Sequence, residues 1–367
     1  MAGPYCGKLL AALGAEVIKV ESPPFGDPSR LTGPFLPNGD HPEKSALFLH
    51  NNTGKKSVLL DWSTNQGFKS LKRLIADADV LIEDWDLSTR RTKGVDANTF
   101  VSFNSQLIEV SITPFGLSGP YSKWKSSPIV QMAMGAIMNI IGIPDREPLM
   151  IPGYQPDYLA GTNACNSVAI ALWERDHSGQ GNFLEITMLE TLANLHQAPL
   201  DMEGGIRHRN GHRQSALSTR GFAPGVCTLE ANDGYVTFGG GSQGIWEQLC
   251  LMMGRTDLYE GKDFTDLTED KELSDKVDWL LVKWMEGKSR ADIHREASSD
   301  WQLPVAPVLT ISETIEDIQF IYQGSFQELD HPVAGRSVYP SPPSSINEKR
   351  LPLSRAPLLG EHNSEYL

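Results

Sequence analysis

The sequence predicts an α/β protein with a largely parallel main sheet and a smaller second unit. Strand-like apolar segments alternate with amphipathic helical segments through the first half of the chain, an order typical of parallel strands joined by crossover helices. A hairpin, with Asn232-Asp233-Gly234 as its turn, comes only in the second half. Between them, the stretch 201–223 is rich in Gly, Arg and His and short of aliphatic residues, which favours a linker.

The first half supplies the elements of the predicted parallel sheet. Residues 5–13 form a helix that ends at Gly14, a residue suited to a left-handed C-terminal cap. The other predicted helices have apolar residues at helical spacing, and the predicted strands are short apolar runs. We predict strands at 16–21, 57–61, 80–82, 107–112 and 183–186, and helices at 66–76, 129–141, 158–175 and 188–197.

The second half predicts a small α+β unit. The hairpin covers 225–238, and two helical segments follow at 245–253 and 273–285. From residue 332 onward the chain is rich in proline and predicts an extended tail that lies over another domain.

Composition excludes several classes of function. The formal net charge of -14 argues against nucleic-acid binding, which needs a basic face. A membrane-spanning helix needs about 20 consecutive apolar residues, and the sequence has no such run. The four cysteines are scattered without a close pair, which argues against a zinc site or a disulfide framework and fits a reducing cytoplasm. The nine histidines show no metal-ligand pairing, so we predict no metal.

Sequence motifs narrow the enzyme classes further. Gly239, Gly241 and Gly244 satisfy the spacing of a dinucleotide-binding loop, but they follow a hairpin rather than opening a strand-helix-strand unit. We interpret them as a tight backbone turn. The sequence contains no P-loop or HExxH motif.

Asp157 stands directly before a long apolar helical segment. From its local sequence, the carboxylate is predicted to cap the free amides of the first helical turn. The alternative is a nucleophile, because aspartate carboxylates form covalent acyl intermediates and a helix N-terminus supplies amides for an oxyanion. Local sequence leaves both interpretations open.

Ordered short motifs, spread over nearly the whole chain, distinguish the two interpretations. They are AGP at 2–4, LLAALGAEVIKVE at 9–21, GDPSR at 26–30, KKSVLLD at 55–61, ADVLIEDW at 78–85, FGLSGP at 115–120, DYLAG at 157–161, ALWER at 171–175, SGQG at 178–181 and APLLGEH at 356–362. With these motifs the chain resembles the family III CoA-transferases, the group that includes formyl-CoA and carnitine CoA-transferases.

The resemblance implies that Asp157 is the catalytic nucleophile. It would attack an acyl-CoA thioester to give a mixed anhydride, and the released thiolate would then convert the anhydride into an aspartyl-CoA thioester. The acceptor acid enters next, and CoA leaves on its acyl group. Such a reaction implies CoA and acyl-CoA as substrates, with a small dicarboxylic donor such as succinyl-CoA, and no permanently bound cofactor or metal.

Two groups of cations are candidate binding residues. The resemblance and the loop positions suggest five contacts to the phosphates of CoA, with solvated surface cations as the alternative. These five are Arg30, Lys55, Arg90, Arg91 and Lys125. For the acceptor's carboxylates we suggest Arg209 and Arg213, whose guanidinium groups can bind carboxylates in a bidentate manner. The alternative for this second group is a hydrated linker.

The resemblance also implies the domain organisation and assembly. A Rossmann-like large domain would combine 1–200 and 306–367, with a linker at 201–224 and a small inserted α+β domain at 225–305. Relatives form intertwined dimers, so we expect a cytoplasmic homodimer or a complex with a different partner chain, without nucleic acid or membrane.

Two rival functions remain open. An α-methylacyl-CoA racemase would share the fold and the aspartate, but it pairs the aspartate with a histidine, and the stretch 121–138 contains none. A non-catalytic CoA-binding subunit is the other. It is suggested because relatives usually carry a strand and a loop before Ala2-Gly3-Pro4, so we expect that strand and an active-site side chain of the loop to be missing.

Overall fold

A computed structural model describes residues 1–37, 39–95, 99–142, 146–195, 227–239, 242–260 and 271–367. The chain divides into two units. Unit 1 comprises Met1–Gly135, Ile151–Leu195 and Ile315–Leu367, and unit 2 comprises Ala136–Met150 and His196–Thr314. The predicted linker, with Arg209 and Arg213, lies outside the described residues. The domain boundaries at 200, 224 and 305 stay predictions.

Unit 1 contains two parallel sheets and a hairpin. Its strands are β1 (Ile18–Glu21), β2 (Lys56–Leu59), β3 (Val80–Glu83), β4 (Ile108–Thr113), β5 (Phe183–Thr187), β9 (Phe326–His331) and β10 (Gly335–Pro340). The strands β1 and β2 pair in parallel, as do β3, β4 and β5 in that spatial order, whereas β9 and β10 pair antiparallel. The predicted mixed α/β fold with parallel strands is therefore confirmed.

The helices of unit 1 flank these strands. They are α1 (Ala2–Ala12), α2 (Ala46–Asn51), α3 (Asn65–Ala76), α4 (Leu87–Lys93), α5 (Pro128–Met134), α7 (Gln155–Ser178), α8 (Met188–Ala193), α13 (Ile318–Tyr322) and α14 (Asn363–Tyr366). Each residue of β4 is buried, and its apolar side chains form one core with α1 and α7. This core fixes α1 against α7, the pair of helices that builds the candidate site.

Small residues let α1 and α7 approach closely. A Cβ atom on Gly161 would lie 2.7 Å from the backbone oxygen of Ala2, and Ala160 and Ala164 beside it are fully buried. Any larger side chain at residue 161 would push the two backbones apart. The glycine of the DYLAG motif is thus explained by packing.

Unit 2 is built around an antiparallel sheet. Its strands are β6 (Cys227–Ala231), β7 (Gly234–Phe238) and β8 (Val305–Pro307), in that spatial order. Its helices are α6 (Ile137–Ile140), α9 (Gln243–Met252), α10 (Lys271–Met285) and α11 (Arg290–His294), and α12 (Ile311–Glu316) contains the boundary with unit 1. Trp246 and Phe238 are central to its core.

Two of the predicted elements need correction. The prediction of an extended tail from residue 332 missed β10, because prolines on either side mask a strand that pairs with β9 in full register. The predicted helix at 129–141 is interrupted. The break occurs at Gly135 and Ala136, where Ala136 has a φ of 61° and therefore cannot continue a right-handed helix.

Candidate active site

Asp157 is the third residue of α7 and lies on the face that meets α1. Gly161 follows it by one helical turn, so the two residues share a face, and Gly161 packs directly on Ala2. The carboxylate is therefore directed at the beginning of α1. The Met1 backbone nitrogen lies 3.7 Å from its Oδ1 atom.

The structure corrects the local interpretation of Asp157 as a cap. We predicted a helix from residue 158, but α7 begins at Gln155, and Tyr154 takes the N-cap position without a side-chain hydrogen bond. Pro156 favours this earlier start, since proline suits the first turn of a helix. Asp157 thus lies inside the first turn rather than ahead of it.

The electrostatic surroundings of Asp157 are mixed. Its side chain is 14% exposed, and this burial raises the pKa of the carboxyl group, while the Met1 ammonium lowers it and Asp84 raises it. Asp84 directly follows β3 and lies against α1, where a Cβ on Gly3 would be 3.3 Å from its Cγ. The site therefore holds two neighbouring carboxylates at one helix end.

Backbone amides at the beginning of α1 complete the positive side of this site. The first amides of a helix have no partner within the helix, and Pro4 has no amide, so Ala2 and Gly3 are the donors available here. The helix dipole adds partial positive charge at the same end. An oxyanion that forms on the Asp157 carbonyl would face this positive end.

Three aromatic rings line one side of the site. Tyr5 of α1 lies 4.7 Å from Tyr158 of α7 between ring centroids, and the ring of His50 at the end of α2 lies within 6.4 Å of both. All three residues are half-buried. Burial and the charge of Asp157 both raise the pKa of Tyr158, so the ring of Tyr158 lies near the carboxylate.

A buried cation cluster lies behind the aromatic rings, and sequence reasoning missed it. Lys8 is only 4% exposed, and its Nζ lies 3.3 Å from Nδ1 of His50. Burial lowers the pKa of Lys8 to about 8, and burial together with the Lys8 charge lowers the pKa of His50 to about 4. The signal was present: Lys8 shares a helical face with Tyr5 and with the buried Ala12.

Asn51 adds an unpaired acceptor next to this cluster. The residue is fully buried, its Nδ2 donates toward the sulfur of Met1 at 3.7 Å, and its Oδ1 has no hydrogen-bond partner among the described residues. A buried polar atom without a partner is costly. Oδ1 is therefore available to a ligand or to an ordered water.

Arg30, one of the five predicted CoA contacts, is fully buried. Its guanidinium group donates to Glu21 at 2.7 and 2.8 Å and to Glu43 at 2.7 Å, and it lies 3.6 Å over the Phe48 ring. Although burial raises the pKa of Glu21, the hydrogen bond from Arg30 and the charges of Lys19 and Arg30 outweigh it and lower that pKa overall. In this arrangement Arg30 stabilises the fold of unit 1.

The same cluster joins several of the family motifs. Ser57 donates to Glu21 at 2.6 Å, and in the C-terminal motif the amide of Leu359 donates to Glu43 at 2.9 Å. A Cβ on Gly26 would lie 2.6 Å from Glu21 Oε2, so only glycine fits there. The motifs around Arg30 therefore meet in one buried cluster and contribute to the core of unit 1.

Arg90 and Lys55 are also buried. Arg90 donates to Glu83 and, at 3.2 Å, to Glu109. Lys55 donates to the Pro4 carbonyl at 2.5 Å and to Asn52 at 2.9 Å, and burial together with the charge of Lys19 lowers its pKa well below the usual range. Their contacts with CoA stay predictions, and the geometry gives both a structural role.

Arg91 and Lys125 are the exposed members of the set. Arg91 lies on the outer face of α4, while the side chain of Lys125 is 85% exposed and its Nζ lies 2.9 Å from Asp86. Both side chains can reach a phosphate without breaking an ion pair in the core. The structure does not bring all five predicted CoA contacts into one cluster of free cations.

Comparison with known proteins decides the family. The profile of CoA-transferase family III matches residues 1–363. The chain belongs to CoA-transferase family III. It is 28% identical to the succinate–glutarate CoA-transferase of Agrobacterium fabrum and 30% identical to the succinyl-CoA:mesaconate CoA-transferase of Haloarcula hispanica. Each alignment covers 100% of this chain and 92% of the relative.

Solved structures agree with this family. A CAIB/BAIF family protein from Brucella suis is 28% identical and superimposes with a TM-score of 0.82 over 100% of this chain and 94% of that chain. Family membership and the relatives' names make the chain a transferase of the EC 2.8.3 type that uses CoA thioesters. Among the described residues, no helix has the length and apolar character to cross a membrane, and no cluster of His, Cys, Asp or Glu could hold a metal ion.

Proposed function

We propose that this family III CoA-transferase moves CoA from an acyl-CoA to a free carboxylic acid through covalent intermediates on Asp157. The observation that supports it is the position of Asp157, largely buried in the first turn of α7 and directed at the beginning of α1. Burial raises the pKa of this carboxyl group, so its anion is poorly solvated and more nucleophilic than a surface aspartate.

The reaction has four balanced acyl transfers. The carboxylate of Asp157 attacks the thioester carbonyl, which forms an anhydride and releases the CoA thiolate. The thiolate attacks the aspartyl carbonyl, which releases the first acid and leaves an aspartyl-CoA thioester. The acceptor carboxylate attacks this thioester, which forms a second anhydride and releases the CoA thiolate again. The thiolate then attacks the acceptor's carbonyl, giving the new acyl-CoA and regenerating Asp157.

The beginning of α1 supplies the electrostatic stabilisation for these steps. Each tetrahedral intermediate carries a negative oxygen, and the Ala2 and Gly3 amides can donate to the one that forms on the aspartyl carbonyl. Arg91 and Lys125 are the exposed cations that we assign to the phosphates of CoA. No proton needs to be transferred, so no general base is required.

Substitution of Asp157 tests this function. We expect Asp157→Ala to reduce CoA transfer by at least about 10⁴-fold, because a missing nucleophile stops every step. The wild type is incubated with succinyl-CoA or acetyl-CoA and trapped with hydroxylamine, and mass spectrometry should show a modification at Asp157. Asp77→Ala, which removes an exposed carboxylate at the end of α3, is the matched control.

Two outcomes would contradict the proposal. Transfer that persists in Asp157→Ala would exclude the covalent route through this residue. Deuterium uptake at the α-carbon of an acyl-CoA, without an adduct on Asp157, would instead indicate a racemase.

We further propose that the enzyme is a cytoplasmic homodimer. All four cysteines are buried and free, which suits a reducing compartment. Unit 1 leaves large apolar side chains exposed on two helices: Ile170 and Trp173 of α7 are 69% and 67% exposed, and Ile318 and Tyr322 of α13 are 84% and 86% exposed. Surfaces of this kind mark protein interfaces. Light scattering should give twice the mass of one chain; a monomeric mass would contradict this proposal.

A further inference from the structure

Lys8 and His50 form a donor pair that the reaction on Asp157 does not use. An ammonium group only donates hydrogen bonds, so Nδ1 of His50 must accept from Lys8 at 3.3 Å. The ring proton therefore lies on Nε2. His50 thus offers one N–H donor from a neutral ring, and Lys8 keeps further N–H donors of its own.

The direction of Lys8 brings its charge toward the catalytic carboxylate. Side chains on a helix lean toward its N-terminus, so the long stem of Lys8 extends from the second turn of α1 back toward Tyr5 and Met1. Its contact with His50 agrees, because the His50 ring lies beside Tyr5 and Tyr158. Because Tyr158 follows Asp157 in α7, the Lys8–His50 pair lies near the helical turn that carries Asp157.

The charge of Lys8 has no counterion in the described part of the chain. Lys8 is 4% exposed, and no carboxylate there lies within salt-bridge distance of its Nζ. Buried charges in proteins are normally paired, because an unpaired ion loses its hydration without compensation.

We propose that Lys8 and His50 form a carboxylate-binding subsite beside Asp157, which makes the enzyme select acyl groups that carry a second carboxylate. This inference rests on the proposed function, since it assumes that the acyl group is held at Asp157. One carboxyl group of a short dicarboxylic acid reacts at Asp157, while the other accepts from Lys8 Nζ and His50 Nε2. The half-buried rings of Tyr5 and Tyr158 line the chain between them.

Isotope exchange between an acyl-CoA and its own free acid tests the subsite. Succinyl-CoA with labelled succinate is compared with butyryl-CoA and labelled butyrate, a pair of acids that differ in the second carboxylate. For the wild type we expect kcat/KM for succinate to exceed that for butyrate at least tenfold. We expect Lys8→Met to lower the succinate value about 100-fold or more and the butyrate value less than about threefold, because only succinate loses a charged contact.

Three further variants separate binding from folding. Lys8→Arg keeps the charge and should retain most of the succinate preference. His50→Phe keeps the ring packing but removes both nitrogens, so it should lose much of the preference. Lys69→Met removes an exposed lysine on α3 and should leave both exchange rates unchanged. Equal losses for both acids in Lys8→Met, or an unchanged ratio, would overturn the subsite.

A binding measurement separates this inference from the proposed function. If no acyl-CoA exchanges with any acid, transfer on Asp157 is wrong, and calorimetry with free succinate and free butyrate then decides the subsite. Succinate binding that is lost in Lys8→Met supports it. A wild-type protein that binds neither acid, or both equally, refutes it.

Discussion

Unit 1 contains two kinds of buried cation, and they differ in what surrounds them. Arg30 is enclosed by Glu21 and Glu43, so its charge is balanced inside the protein. Lys8 is nearly as buried, but its hydrogen-bond partner is the neutral ring of His50. A balanced cation stabilises the fold, whereas an unbalanced one destabilises it until an anion binds. The comparison therefore separates structural cations from candidate ligand-binding cations.

This difference bears on what the motifs predicted for Arg30. Arg30 belongs to a motif that the chain shares with its family, and we predicted that it contacts CoA. Its guanidinium group is instead occupied by carboxylates, while Lys8, which we assigned no role, is available to an anion. A cation in a shared motif can thus be required by the core rather than by the ligand.

The largest expected effect comes from breaking the balanced cluster. Arg30→Met should lower the free energy of unfolding by about 3–5 kcal/mol, because it leaves Glu21 and Glu43 buried without their cation. Urea denaturation measures the change. The control is Arg336→Met, which removes an exposed ion pair with Glu328 and should change stability by less than about 1 kcal/mol.

The same variant also tests the original prediction of a CoA contact. If Arg30→Met stays as stable as the wild type but raises the KM for acyl-CoA, Arg30 binds CoA and the structural assignment is wrong. A large loss of stability, with wild-type KM in the fraction that remains folded, supports the structural assignment.

The sequence predicted regular elements better than side-chain environments. Strands such as β3 and β4 were identified because an apolar run between turn signals has few other interpretations. The start of α7 was misplaced by three residues, because Pro156 fits either a loop or a first helical turn. The hairpin of β9 and β10 was missed, because its pairing is decided by contacts that local pattern does not encode.

The candidate site was predictable only in part. Asp157 was identified through the resemblance, and its position at a helix N-terminus followed from the sequence. The partners of Arg30 could not be identified, because Glu21 and Glu43 meet it only through folding. Lys8 was overlooked because a lysine in a helix usually reaches solvent, although it shares a helical face with the buried Ala12.

Replacing the unbalanced cation, Lys8, should change the free energy of unfolding by less than Arg30→Met does, and in the opposite direction. Lys8 has a pKa of about 8 in the folded protein, below its ordinary value of 10.5, because burial disfavours the charged form. At pH 7 Lys8 is protonated in both states and its charge destabilises the folded one. Lys8→Met should therefore raise the free energy of unfolding by about 2–3 kcal/mol at this pH.

The pH dependence of stability shows whether Lys8→Met is more stable because a buried charge is removed or because the core simply repacks. Between pH 8 and 10.5 the unfolded chain binds more protons at Lys8 than the folded chain, so wild-type stability gains from rising pH there. Lys8→Met lacks this gain. In urea denaturation, the free energy of unfolding of Lys8→Met should therefore exceed that of the wild type by less at pH 10 than at pH 7. The control is Lys69→Met, whose difference from the wild type should not change with pH. An advantage that is independent of pH, or a less stable variant at pH 7, would mean that the Lys8 charge is already balanced and would remove the reason for an anion beside Asp157.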